Sequence, residues 1–142
     1  MAFNVLVVDD SAVMRTMIIR TLRMTGVRLW QIHEASHGRE ALEILDDHWV
    51  DLALVDINMP VMNGEEFIDR VREDPITRDL SIIVVSTESS ETRINKILGR
   101  GASFIHKPFR PESLREAILN VTGMSDNAAA AVGITEGGSL DF

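Results

Sequence analysis

Apolar residues gather into short unbroken runs, separated by stretches in which they recur every three or four positions. Val5–Val8, Leu52–Val55 and Ile82–Val85 are continuous β-branched or leucine runs, the pattern of strands covered on both faces. Trp30, Ile32 and Glu34 lie in a more mixed stretch, which predicts an edge strand with one wet face. Phe104–His106 is a short fifth strand. Between the runs the period becomes helical. Leu114, Ala117, Ile118 and Val121 follow the i, i+3, i+4, i+7 rule; Phe67, Ile68 and Val71, then Ile94, Ile97 and Leu98, repeat it. Ser11 is placed to cap the first helix, and Pro111 suits the first turn of the last. Gly26, Gly64, Gly101 and Gly123 punctuate the connections.

Five strands alternating with five helices predict an α/β fold: a flavodoxin-like five-stranded parallel sheet, order 2-1-3-4-5, with helices on both faces. The pattern stops at Gly123. A folded domain is expected over residues 1–123 and a flexible C-terminal tail over residues 124–142, which contain AAAA and GGS and no periodicity. A docking peptide built on Ile134, Leu140 and Phe142 is the other reading of the tail.

Composition narrows the function classes. The 142 residues suffice for one domain with its own core. The formal charge is −8, from 22 acids against 14 bases. The last nineteen residues hold three acids and no Lys or Arg, so residues 1–123 carry 19 acids and 14 bases, a balance of −5. Neither part has the basic excess that nucleic-acid binding requires. The absence of cysteine excludes disulfides, thiolate catalysis and Cys-ligated zinc. Apolar runs of four to six residues are too short for a membrane-spanning helix. The opening MAFNVLVVDD lacks the positive n-region of a signal peptide, so a cytoplasmic protein is expected.

The chemistry falls at the strand ends, where open parallel sheets bind their ligands. Strand one runs into Asp9 and Asp10, strand three into Asp56, strand four into Ser86 and Thr87, and strand five into Lys107. Three carboxylates in one pocket repel one another, and one lysine does not balance them. A divalent cation does, and carboxylate oxygens with room for water favour Mg²⁺. Such a site meets the needs of phosphoryl transfer, which are in-line positioning and charge neutralisation around a nucleophile. An aspartate can serve as that nucleophile, giving an acyl phosphate.

These residues resemble the receiver domain of two-component response regulators, especially the single-domain chemotaxis type, over roughly residues 3–122. The motifs are VVDDS at Asp9 and Asp10, VDINMPVMNG with Asp56, Pro60 and Gly64, VVSTES at Ser86, and HKPF at Lys107. Each alone is weak; four in the right order at strand ends are specific. The resemblance implies that Asp56 is the phosphoacceptor. It assigns Mg²⁺ to Asp10, Asp56 and the Asn58 backbone carbonyl, with Asp9 holding a coordinating water. Lys107 would bind the phosphoryl oxygens, Ser86 would hydrogen-bond the phosphoryl group, and Phe104 takes the switch-aromatic position. A cis Lys107–Pro108 bond is implied as well. Asn58, Thr87 and Glu88 stand where similar receivers tune the phosphoryl lifetime. A histidine kinase or histidine phosphotransfer protein would be the donor and a further protein the target, with no nucleic acid or membrane partner. The domain would be no enzyme beyond assisting its own phosphorylation and dephosphorylation.

Three features depart from the family pattern. Thr87 stands where a small residue is usual, GASFIHKPF is one residue shorter between Gly101 and Lys107, and the switch aromatic is Phe rather than Tyr. Arg93, Lys96, Arg100, Arg110 and Arg115 suggest a basic output face over helix four, strand five and helix five.

Other readings fit less well. A haloacid-dehalogenase-type phosphatase needs a second aspartate two residues after its strand-one nucleophile, and Ser11 stands there after Asp9. A receiver-fold scaffold that no longer takes phosphate would have lost an acid or the lysine. The P-loop GxxxxGK is absent, and nothing after residue 123 suggests a helix-turn-helix. His33, His37, His48 and His106 have no metal-ligand spacing. Trp30 and Trp49 read as packing residues, and the methionines, Met59 apart, as core filler.

Overall fold

The computed structural model describes residues 2–123. Its elements are β1 (Phe3–Val8), α1 (Ala12–Arg23), β2 (Leu29–Ala35), α2 (Gly38–Asp47), β3 (Leu52–Val55), α3 (Gly64–Glu73), β4 (Ser81–Ser86), α4 (Glu91–Gly99), β5 (Ser103–His106) and α5 (Pro111–Thr122). The strands form one parallel sheet in the order β2-β1-β3-β4-β5, as the alternation predicts. The proposed tail and its docking peptide lie outside the described residues.

Alternation along each strand divides the core in two. Leu6, Val8, Ala53, Val55, Ile82 and Val84 face α2, α3 and α4, where Ala41, Phe67, Ile68, Val71 and Ile97 close the layer. Val5, Val7, Leu52, Leu54, Ile83 and Val85 face α1 and α5, meeting Ile18, Leu22, Leu114 and Ile118. Each fully buried aliphatic side chain contributes about 1.5–3 kcal/mol relative to exposure, which is why the inner strands are apolar throughout. The edge strand β2 has the mixed burial its sequence predicts.

The helix starts follow local chemistry. Ser11, His37, Asn63 and Ser90 each accept a backbone N–H at a helix N-terminus, and Asn63 and Glu66 form a reciprocal capping box. Pro111 opens α5, and Gly123 ends it in the left-handed region.

Three expectations about packing are corrected. Trp30 and Trp49 are each 73% exposed instead of packed; Trp49 is held at the surface by its indole N–H donating to Asp51, at 2.9 Å. Met17 and Met24 are exposed on and after α1, whereas Met59 is buried. Leu98 lies half-exposed on α4, so only Ile97 of that helix is fully buried.

Candidate functional site

Parallel pairing brings the carboxyl ends of β1, β3, β4 and β5 to one edge. Asp56 follows β3, its N–H donating to the Val8 carbonyl of β1 at 2.9 Å. Asp9 follows β1 and is bonded through its N–H to Ala35 of β2 at 3.0 Å. Lys107 follows β5 and donates its N–H to Ser86 of β4 at 2.8 Å. Backbone pairing across the sheet therefore aligns the four chain segments before any side chain acts.

The side chains converge as expected. Asp9, Asp10 and Asp56 each offer a carboxylate oxygen within 4.8 Å of the others. Lys107 Nζ is 3.4 Å from Asp9 Oδ2 and 3.9 Å from Asp56 Oδ1, and the Lys107–Pro108 peptide bond is cis. Asp9 is 2% exposed and Asp10 is exposed. Asp9 Oδ1 accepts the Ser11 N–H at 2.9 Å, so one residue both starts α1 and steadies the acid beside it. Asp56 Oδ1 accepts the Ile57 N–H at 2.9 Å; Oδ2 accepts no hydrogen bond from the described residues.

Burial raises the Asp56 pKa above its ordinary value; Lys107 opposes this, and the Asp9 and Asp10 charges add to it. One lysine among three acids leaves the pocket short of positive charge, and its hard oxygen donors suit Mg²⁺.

The segment after Asp56 is tightly made. Gly64 donates its N–H to the Ile57 carbonyl at 2.8 Å, and a Cβ on Gly64 would stand 2.3 Å from the Asp56 carbonyl oxygen. That close approach is why glycine opens α3. Asn58 is exposed on this loop. Val61, which the sequence pattern did not single out, has φ 68, a conformation β-branched residues strongly disfavour.

Ser86 is buried at the end of β4 and its Oγ accepts the Glu88 N–H at 3.1 Å. Thr87 is exposed and lines an apolar hollow of 270 Å³ with Met14, Met17, Lys107, Pro108 and Phe109. Phe104 is half-buried against the α2–α4 side of the core. His106 is exposed beside it, ring centroids 6.4 Å apart. The other histidines also stay outside the site: His37 caps α2, and His33 stacks on His48 at 4.4 Å.

The contacts of two arginines near the site had no sequence signal. Arg15 donates to the Asp9 carbonyl at 2.6 Å and to Glu34 at 2.8 Å, tying α1 to β1 and β2. Arg93 pairs with Glu65 at 2.7 Å and Glu88 at 2.8 Å, residues 28 and five positions away; neither spacing puts the partners on one helix face. These pairs also correct the expected basic output face. Arg93 is neutralised, Arg100 pairs with Asp69 at 2.6 Å, and Arg115 donates to the Thr25 carbonyl at 2.9 Å. Arg115 keeps its charge in that carbonyl bond, so Lys96, Arg110 and Arg115 supply the remaining positive charge of a face less basic than the sequence suggests.

Comparison with known proteins agrees with this geometry. The profile of the family described as "Response regulator receiver domain" matches residues 5–119. A chemotaxis protein CheY homolog of Campylobacter jejuni is 38% identical over 130 residues, 90% of this chain and 98% of that protein. Among solved structures, chemotaxis protein CheY4 of Vibrio cholerae superposes with a TM-score of 0.74 at 34% identity, covering 85% of this chain and 99% of the other. CheY of Borrelia burgdorferi, solved in a CheX–CheY–BeF3–Mg²⁺ complex, gives 0.75 at 28% identity, covering 84% and 88%. With acids, hydroxyl and lysine at the predicted strand ends and the match running from β1 into α5, the chain belongs to the response regulator receiver domain family.

Proposed function

We propose that this chain accepts a phosphoryl group on Asp56 from a histidine kinase or histidine phosphotransfer protein, and that phosphorylation changes its α4–β5–α5 face for a partner. The observation that carries this reading is the half-buried Asp56 carboxylate with two further acids within 4.8 Å and Lys107 Nζ at 3.9 Å. An Asp56 carboxylate oxygen attacks the phosphorus of a phosphohistidine; the new P–O bond forms as the P–N bond breaks, and the imidazole leaves. Lys107 pairs with the phosphoryl oxygens, and Ser86 donates its hydroxyl proton to one of them. Asp10, Asp56 and the Asn58 carbonyl would hold Mg²⁺, with Asp9 acting through a water. Bound there, the ion supplies positive charge against the phosphoryl oxygens. The Mg²⁺ in the Borrelia burgdorferi complex supports this assignment.

The donor must bring its histidine past the rim of the pocket. Met17, Pro108 and Phe109 offer apolar surface there, beside Lys107 and Thr87, which suits an apolar helix face on the donor. Phosphoryl loss requires water to reach Asp56, and Asn58, Thr87 and Glu88 would tune that approach. Phe104 would follow Ser86 when the hydroxyl moves toward the phosphate. The phosphoryl group itself is the signal, so the chain acts as a switch in a phosphorelay rather than as an enzyme on other molecules.

Incubation with a small acyl-phosphate donor and Mg²⁺ tests the reading by intact mass. One phosphoryl group is expected on the wild type, none on Asp56→Asn, and none after chelation. Labelling of Asp56→Asn at the wild-type rate would sink the assignment.

A further inference from the structure

The segment joining β4 to α4 is held by a chain of contacts that begins and ends beside Asp56. Ser86 Oγ accepts the Glu88 N–H at 3.1 Å. The Glu88 carboxylate accepts the Ser90 N–H at 3.0 Å and the Arg93 Nη1 hydrogen bond at 2.8 Å. Arg93 then reaches across to Glu65 of α3, with Nη2 at 2.7 Å and Nε at 3.2 Å. Glu65 follows Gly64, the residue packed on the Asp56 carbonyl. All three charged side chains are no more than a third exposed, so solvent screens them only partly.

We propose that Arg93 is a positioning residue, a latch that holds the β4–α4 segment against α3 and so keeps Ser86 in its unphosphorylated arrangement. The inference rests on Asp56 being the phosphoacceptor. When Ser86 is drawn toward a phosphoryl group it pulls on the Glu88 N–H, while the Glu88 side chain is anchored through Arg93 to α3. The anchored arrangement favours the resting state alone, so it opposes the switch by its differential stability. Removing Arg93 also leaves Glu65 and Glu88 as like charges around the vacated guanidinium, which drives the segment apart.

Coulomb's law makes this testable. Loss of a nearby positive charge weakens binding of an anion, whereas loss of a latch tightens binding of any ligand that selects the switched state. The probe is beryllofluoride with Mg²⁺, measured by calorimetry and by amide chemical shifts on the full chain. Arg93→Gln is expected to bind about three- to tenfold more tightly than wild type, the range one partly exposed ion-pair cluster supports. Glu65→Gln should tighten binding less, since it leaves the Arg93–Glu88 pair, and Arg93→Lys should return toward wild type. In the free Arg93→Gln protein, amide shifts of residues 86–93 should move along the line joining free and bound wild type. Unchanged or weaker binding by folded Arg93→Gln, or shifts off that line, would overturn the latch alone. Failure of the wild type to bind, or equal binding by Asp56→Asn, would overturn the acceptor reading and the latch with it.

Discussion

Asp56 is held in a setting that disfavours its own charge. Its folded pKa is raised by burial, with Lys107 opposing and Asp9 adding, so the folded chain binds its proton more tightly than the unfolded chain does. Stability contributed by this group is therefore present at low pH and is lost as pH rises above the ordinary value of 3.8 through the raised one. Without divalent ions, Asp56→Asn should be more stable than wild type near pH 7, with the gap narrowing toward pH 4. Urea midpoints in chelator check this, and a wild type at least as stable at pH 7 would mean that Lys107 outweighs burial. Val61 is a second strained position. Its φ of 68 and 72% exposure leave backbone strain with little packing in return. Val61→Asn, which tolerates the left-handed region, should raise stability by about 1 kcal/mol; thermal melts read the effect, and an unchanged or lower midpoint would show that the strain is not released. Gly64 was legible as punctuation, but the Asp56 carbonyl that demands it was not, because that contact joins the end of one strand to the start of the next helix.

Among the elements, the inner strands were legible because burial on both faces requires unbroken apolar runs. Helices α3, α4 and α5 were legible from their periodicity, although Leu98 shows that an apolar residue in register need not be covered. Trp30 and Trp49 misled for the related reason that a large apolar side chain in sequence does not say which surface lies opposite it. The ties between elements escaped sequence reading altogether. Arg72 of α3 donates to the carbonyls of Arg100, Arg78 and Leu80 at 2.8, 2.8 and 2.7 Å, joining α3 to the end of α4 and the start of β4. Arg72→Ala removes three charge-assisted hydrogen bonds, two of them part-buried, and should cost about 2–3 kcal/mol. A urea midpoint within experimental error of wild type would show that water replaces the guanidinium at those carbonyls.

For the molecule as a whole, binding at the acidic pocket should stabilise the fold, because the unfolded chain cannot gather Asp9, Asp10 and Asp56. At ten times its dissociation constant, Mg²⁺ should add about 1.4 kcal/mol, and the rise in melting temperature should be lost in Asp10→Ala. An equal rise in that variant would place the ion elsewhere. No helix among the described residues is long and apolar enough to cross a membrane. The amino-acid sequence by itself determined the alternation of strands and helices and the acids, hydroxyl and lysine at the strand ends, because periodicity and strand-end chemistry are local properties; the strand order followed from the topology such an alternation adopts. Only the tertiary structure decided what each charge faces. Arg93 looked like part of a basic surface and is neutralised by Glu65 and Glu88; Arg15, which carried no sequence signal, braces Asp9. Burial, ion pairing and the Asp56 pKa depend on distances between segments far apart in the chain, and those distances exist only once the sheet has brought its ends together.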